Sequence, residues 1–190
     1  HALLMTPAAT ALAAALCTLL LPAASLAQAG GKLPPTVAAV IDYQQILRDS
    51  RAARAIRDQV ESRRRLYQEQ IAQEEQRLHE ADKDLASQRS ELSPDVFAER
   101  RATFESQVAE VQRMAQERRR QLDQAAAAAF NEVRTAMIQV LNELSDARGF
   151  NLVVPTSGLL LFSPQIDITG DVLARLDVKL PNIKVPEKVD

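Results

Sequence analysis

Few of the side chains that carry out chemistry stand in useful company in this sequence. His79 lies in Arg77-Leu78-His79-Glu80, with no second histidine or cysteine nearby to complete a metal site or a nucleophile and base pair. The single cysteine, Cys17, sits in an apolar N-terminal run, and no glycine occurs between Lys32 and Arg148 to build a phosphate-cradling loop. Ser157-Gly158 reads as a turn, and the carboxylates alternate with arginines as on any solvated helix face. The residues therefore predict neither an enzyme nor a metal or cofactor site, and a net charge of -2 predicts no nucleic-acid partner. Two arginine triplets, Arg63-Arg64-Arg65 and Arg118-Arg119-Arg120, remain. They either pair with Glu61, Glu69, Glu117 and Asp123 or form a basic site for anionic clients or lipid headgroups. Phe97 and Phe104, one heptad apart, are either seam core or a sticky surface.

The elements that position these residues follow from where the helix breakers fall. Between Thr36 and Val154 the only proline is Pro94, so more than a hundred residues rich in Ala, Arg, Glu, Gln and Leu read as long helix. Ile71, Leu78, Leu85 and Leu92 keep a strict seven-residue register, a coiled-coil seam too narrow for a globular interior. Ser93-Pro94-Asp95 has the composition of a helix restart: a cap, a proline at the first turn and an acid at the positive helix end. Phe97, Phe104, Val108, Val111, Ala115, Leu122, Ala125 and Ala129 continue the seam, and a register slip near 125–129 precedes Phe130, Val133, Met137, Val140 and Leu144. Gly149 is a natural C-terminal stop.

Folding back at residues 93–95 predicts an antiparallel helical hairpin arm over 51–148, which places the two triplets at nearly equal distance from the tip. It also brings a strand at Val37–Ile41 close to Asn151–Val154 and Leu159–Phe162, since strands need partners. A body of about three strands over 37–50 and 149–178 follows, closed by a short helix Asp171–Asp177 capped by Thr169. Residues 179–190 show no apolar periodicity and are expected to be mobile. The fold class is thus α+β, mostly α. So small a body predicts oligomerisation.

Residues 1–27 carry no Lys, Arg, Asp or Glu and contain an apolar run of about 14 residues, Ala8 to Leu21, followed by Pro22 and then Ser25-Leu26-Ala27. This segment resembles a cleaved secretory signal, shorter than the roughly 20 residues of a spanning helix, and predicts no permanent membrane anchor. Leu16 before Cys17 does not suit lipidation. A 28–36 linker follows, and the exported, cysteine-free remainder suits the periplasm.

Three stretches, Val37-Ala38-Ala39-Val40-Ile41-Asp42, Leu92-Ser93-Pro94-Asp95-Val96-Phe97 and Gly149-Phe150-Asn151-Leu152-Val153-Val154, together with Ile166-Asp167-Ile168-Thr169-Gly170-Asp171-Val172-Leu173, resemble the Skp/OmpH periplasmic chaperones. The resemblance spans roughly Val37 to Leu176. It implies a jellyfish-shaped homotrimer in which Val37, Val40, Ile41, Leu152, Val154, Leu160 and Phe162 build the trimer body. It also implies ATP-independent holding of unfolded outer-membrane proteins by the inner faces of the arms, with Leu85, Leu92, Val96, Phe97, Phe104, Arg64, Arg65, Arg118 and Arg119 as client contacts. Well-known members are strongly basic, whereas this chain has a pI of about 5.8 and both arms balance acids against bases. A generally basic cavity and lipopolysaccharide binding are therefore not expected. The competing class is a structural coiled-coil adaptor or spacer of the cell envelope.

Overall fold

The computed structural model describes residues 33–187. The expected signal segment at 1–27 and residues 188–190 lie outside the described residues. The element order is β1 (Ala38–Ile41), α1 (Tyr43–Asp49), α2 (Arg51–Ser87), a 3-10 turn at Gln88–Ser90, α3 (Pro94–Arg148), β2 (Leu152–Pro155), 3-10 turns at Thr156–Gly158 and Pro164–Ile166, and α4 (Thr169–Lys179).

Local chemistry sets these boundaries. The Asp42 carboxylate accepts from the Gln45 backbone N–H at 2.8 Å and starts α1. The extended Ser50 (ψ 146°) then breaks the helix, and its buried hydroxyl accepts from Ala53 N–H at 3.3 Å to start α2. Ser93 is extended in the same way, and its hydroxyl accepts from Val96 N–H with Pro94 in the first turn, as the sequence predicts. α2 itself stops five residues short of Leu92, handing over to the tighter 3-10 turn. Gly149 closes α3 in the left-handed conformation at φ 78°, where a side chain would strain the backbone.

α2, with 37 residues, and α3, with 55, form the expected hairpin. Between Arg57 and Gln121 no residue is fully buried. Ile71, Leu78, Leu85, Leu92, Phe104, Val108 and Val111 are all half-buried, as a two-helix seam with open flanks requires. Along α3 full burial begins at Leu122 and continues through Ala125, Ala129, Val133, Met137, Val140 and Leu144. From Ala125 onward these residues join Ile41, Ile46, Ala52, Ile56, Phe150, Ile168, Val172 and Leu176 in one core at the arm's base. A slender arm of about 50 Å, at 1.5 Å rise per residue, thus leaves a dense base.

The base departs from the expected strand count. β1 and β2 pair in parallel, Ala38 with Leu152 through Ile41 with Pro155, and this is the one sheet among the described residues. The other side of β1 bonds to the 167–168 segment, Ile168 N–H donating to Val40 C=O at 2.9 Å. Val37 lies just outside β1. Its N–H donates to the Asn151 side chain at 2.8 Å, and its C=O accepts from the Asn151 and Leu152 N–H groups. Leu159–Phe162 is not a strand. Thr156–Gly158 tightens into a 3-10 turn, β1 has both edges occupied, and Leu160 and Leu161 stand in solvent at 108% and 90% exposure.

Two further expectations are corrected. Thr169 does not cap α4, whose preceding residue Ile168 has no side-chain cap. The Thr169 hydroxyl instead accepts from Asp42 N–H at 2.8 Å and donates to the Asp167 carboxylate at 2.6 Å, tying the start of α1 to the start of α4. The segment after α4, expected to be mobile, is packed. Ile183 and Val185 are buried in the core, and Gln59 and Arg63 of α2 hold their backbone. Two apolar residues separated by one position are too short a pattern to register as periodicity, but two adjacent pockets suffice to anchor them.

Candidate functional site

The arm places the arginine triplets opposite one another, as their distances from the tip predict. The Arg118 guanidinium lies 4.7 Å from the centroid of the Tyr67 ring, a cation–π contact across the hairpin. Arg64, Arg118 and Arg119, with Tyr67, Ile71, Ala115 and Leu122, line a groove of about 670 Å³. On the other side Arg63, Arg113 and Arg118 with Leu66, Tyr67 and Met114 line a second groove of about 500 Å³. Each therefore combines guanidinium groups with apolar surface.

The triplets divide between structural and open roles. Arg64 and Arg65 share Glu61 at 3.2 and 4.0 Å, and Arg120 engages Glu117 at 2.8 Å. Such exposed pairs are screened by solvent and hold a side chain only weakly. Arg63 is committed to backbone carbonyls of Val185 and Pro186. Farther out, hydrogen bonds from Arg113 and Arg120 hold the carboxyls of Glu110 and Glu117 below their ordinary range. The arm surface is thus a lattice of local pairs with no continuous field of one sign.

The distal seam is apolar and shallow. Leu85, Val96 and Phe104, with Ala81, Gln88 and Gln107, line a groove of about 570 Å³ near the tip. Leu85, Leu92, Phe97 and Phe104 are half-buried, Val96 is exposed, and the Arg89 guanidinium lies 5.9 Å from the Phe97 centroid. Phe97 and Phe104 are therefore seam residues with one exposed side. In the base, Val40 and Ile41 are buried, Val154 and Phe162 are half-buried, and Val37, Leu152 and Leu160 are exposed.

Among the described residues no cluster of His, Cys, Asp or Glu can hold a metal ion, and no helix is long and apolar enough to cross a membrane. The sequence marks Arg63 only as one of a triplet and gives Gln59 no role, because the partners of both lie more than a hundred residues away in the C-terminal segment. That segment had a visible signal, the Ile183-x-Val185 alternation between Pro181 and Pro186.

The described residues thus build a long antiparallel helical hairpin rooted in a small parallel-stranded base. The family model for "Outer membrane protein (OmpH-like)" matches residues 37–176, most of the chain, and the chain belongs to that family. Among solved structures, the crystal structure of an OmpH-like protein from Caulobacter crescentus CB15, described as an outer membrane chaperone, shares the fold with a TM-score of 0.75. It is 16% identical, and the alignment covers 83% of this chain and 94% of that one. Comparison with curated protein sequences gives no match.

Proposed function

We propose that this chain is a holdase chaperone that captures unfolded outer-membrane β-barrel proteins in the periplasm without ATP or any chemical step. The observation that carries the reading is the distal arm, in which no residue between Arg57 and Gln121 is fully buried while a row of apolar side chains is left half open. A seam that is not consumed by its own core can offer apolar contact along some 50 Å and adjust to many sequences, each contact weak. Leu85, Leu92, Val96, Phe97 and Phe104 supply the apolar contacts, and Arg64, Arg65, Arg118 and Arg119 supply guanidinium groups beside them. Membership of the OmpH-like family supports the reading, and so does the chaperone description of the Caulobacter protein.

The base supports a homotrimer. β2 leaves its outer edge unpaired among the described residues, and Val37, Leu152, Leu160 and Leu161 of the base are exposed apolar side chains. Residues 37, 40, 41, 152, 154, 160 and 162 are the proposed trimer body, around which three arms enclose a cavity. Export through the signal at 1–27 places the protein in the periplasm. The near-neutral charge and locally paired arms speak against lipopolysaccharide as a ligand.

The test is aggregation of a urea-denatured outer-membrane β-barrel protein diluted into buffer, read by light scattering, with molar mass measured on the same sample. A trimer that suppresses scattering at near-stoichiometric ratios is expected. A chain that leaves scattering unchanged and binds one folded envelope protein is an adaptor or spacer instead.

A further inference from the structure

The segment after α4 is held in an uncommon way. Along 182–187, Ile183 and Val185 are buried while Asn182, Lys184 and Glu187 are exposed, the alternation of an extended chain on an apolar face. The Gln59 side chain donates from Nε2 to Ile183 C=O at 2.7 Å, and its Oε1 accepts from Val185 N–H at 3.0 Å. One amide thus meets the carbonyl and the N–H that flank residue 184, as a residue of a neighbouring parallel strand would. One turn further along α2, Arg63 donates to Val185 C=O at 3.2 Å and Pro186 C=O at 2.6 Å. All four bonds go to backbone atoms, so they read extended chain and not side-chain identity. Specificity rests on two apolar pockets at alternate positions in the core that also contains Ile56, Ala125 and Ala129.

Glu187 itself lines the groove between α2 and α3, together with Arg63, Leu66, Arg113, Met114 and Arg118. The tail itself lies beyond residues 37–176, the part matched by the family model.

We infer that Gln59, Arg63 and the adjoining apolar pockets form a sequence-tolerant binding site for extended polypeptide with apolar residues at alternate positions, occupied in cis by residues 182–187 and exchangeable for such segments of an unfolded client. The inference rests on the holdase reading, because membrane β-strands carry this alternation. The tail acts as an internal surrogate that covers the site until a client segment, favoured by its high local concentration once captured by the arms, replaces it.

The experiment uses the full chain carrying Ile183→Ser with Val185→Ser, which keeps the tail but removes its anchors. The probe is a fluorescein-labelled peptide of residues 180–190, followed by anisotropy. The doubly substituted chain should bind it at least tenfold more tightly than the unsubstituted chain does. Adding Gln59→Leu should weaken that binding on the order of tenfold, the scale of lost backbone hydrogen bonds. An unlabelled peptide of alternating Val and Thr should compete, and the tail peptide with Ser at both anchor positions should not. A second form, the chain ending at Pro181, repeats the comparison, with helix content followed by circular dichroism.

Equal affinity with and without the anchors, or indifference to Gln59→Leu, overturns the site. Binding of the tail peptide without competition by the Val and Thr peptide limits the groove to the tail and overturns exchange. Loss of helix in both forms makes the tail a piece of core and does the same. The peptide readout is independent of client aggregation, so failure of the holdase reading appears separately in the scattering assay.

Discussion

Leu144 and Leu78 are the same residue in the same kind of helix, yet truncating them to alanine should have different consequences. Leu144 is wholly buried where α3 meets the base, so Leu144→Ala removes its transfer free energy and leaves a cavity that neighbours on several elements cannot fill. That combination costs about 3 kcal/mol. Leu78 is half-buried in a seam open on both flanks. Only part of its apolar area leaves water on folding, and the seam closes over a missing side chain without a void, so Leu78→Ala costs about 1 kcal/mol. The difference of roughly 2 kcal/mol corresponds to a gap in melting temperature of about 4–8 °C for a domain of this size. Circular dichroism melts of both variants at one protein concentration measure the gap. Amide exchange should place the lost protection of Leu78→Ala within the arm and that of Leu144→Ala across the base. Equal melting temperatures, or protection lost throughout the chain in Leu78→Ala, would refute the division into dense base and soft arm on which the proposed function rests.

Gly149→Ala should destabilise by about 1 kcal/mol through its positive φ alone, because no atom lies within 4 Å of the added carbon, whereas Gly158→Ala should stay within about 0.5 kcal/mol; chemical denaturation reads both. Thr169→Val should cost about 2 kcal/mol in the same assay by leaving Asp42 N–H and the Asp167 carboxylate without their shared hydroxyl. The carboxyls of Glu110 and Glu117 are held below their ordinary value of 4.5, so their support for α3 is present above that value and lost as pH falls through and below it. Arm ellipticity should therefore decline on acidification before the base melts, and Glu110→Gln with Glu117→Gln should flatten that early decline. Replacing Arg64, Arg65, Arg118 and Arg119 by glutamine should weaken client capture and remove most of its salt dependence, measured as client affinity at low and high ionic strength; an unchanged salt slope would assign these arginines to solvated pairing alone.

Most of the arm was legible in the sequence because helix chemistry is local. Ser93-Pro94, Gly149 and the heptad leucines act within a few residues of themselves, and each is where its side chain predicts. The opposition of the triplets was legible as well, since a hairpin with one tip fixes height by counting. The base was less so. Leu159–Phe162 has the composition of a strand, but a strand exists only where an edge accepts it, and β1 spends both edges on β2 and residues 167–168. Thr169 has the right position for a cap, yet it is drawn into a bond with Asp42, 127 residues away in sequence. Gln59 and Arg63 look like ordinary solvated helix residues until Ile183 and Val185 dock against them.

The sequence by itself determined the long breaker-free helices, the position of their reversal, the narrow apolar seam and the near-neutral charge, because spacing, capping and composition are properties of neighbouring residues. Only the tertiary structure decided that the base holds two paired strands, that an apolar segment is left in solvent, and that the C-terminal segment is strapped to α2. Those outcomes depend on which distant backbone edge or pocket is unoccupied, a competition among residues more than a hundred positions apart that no local pattern records.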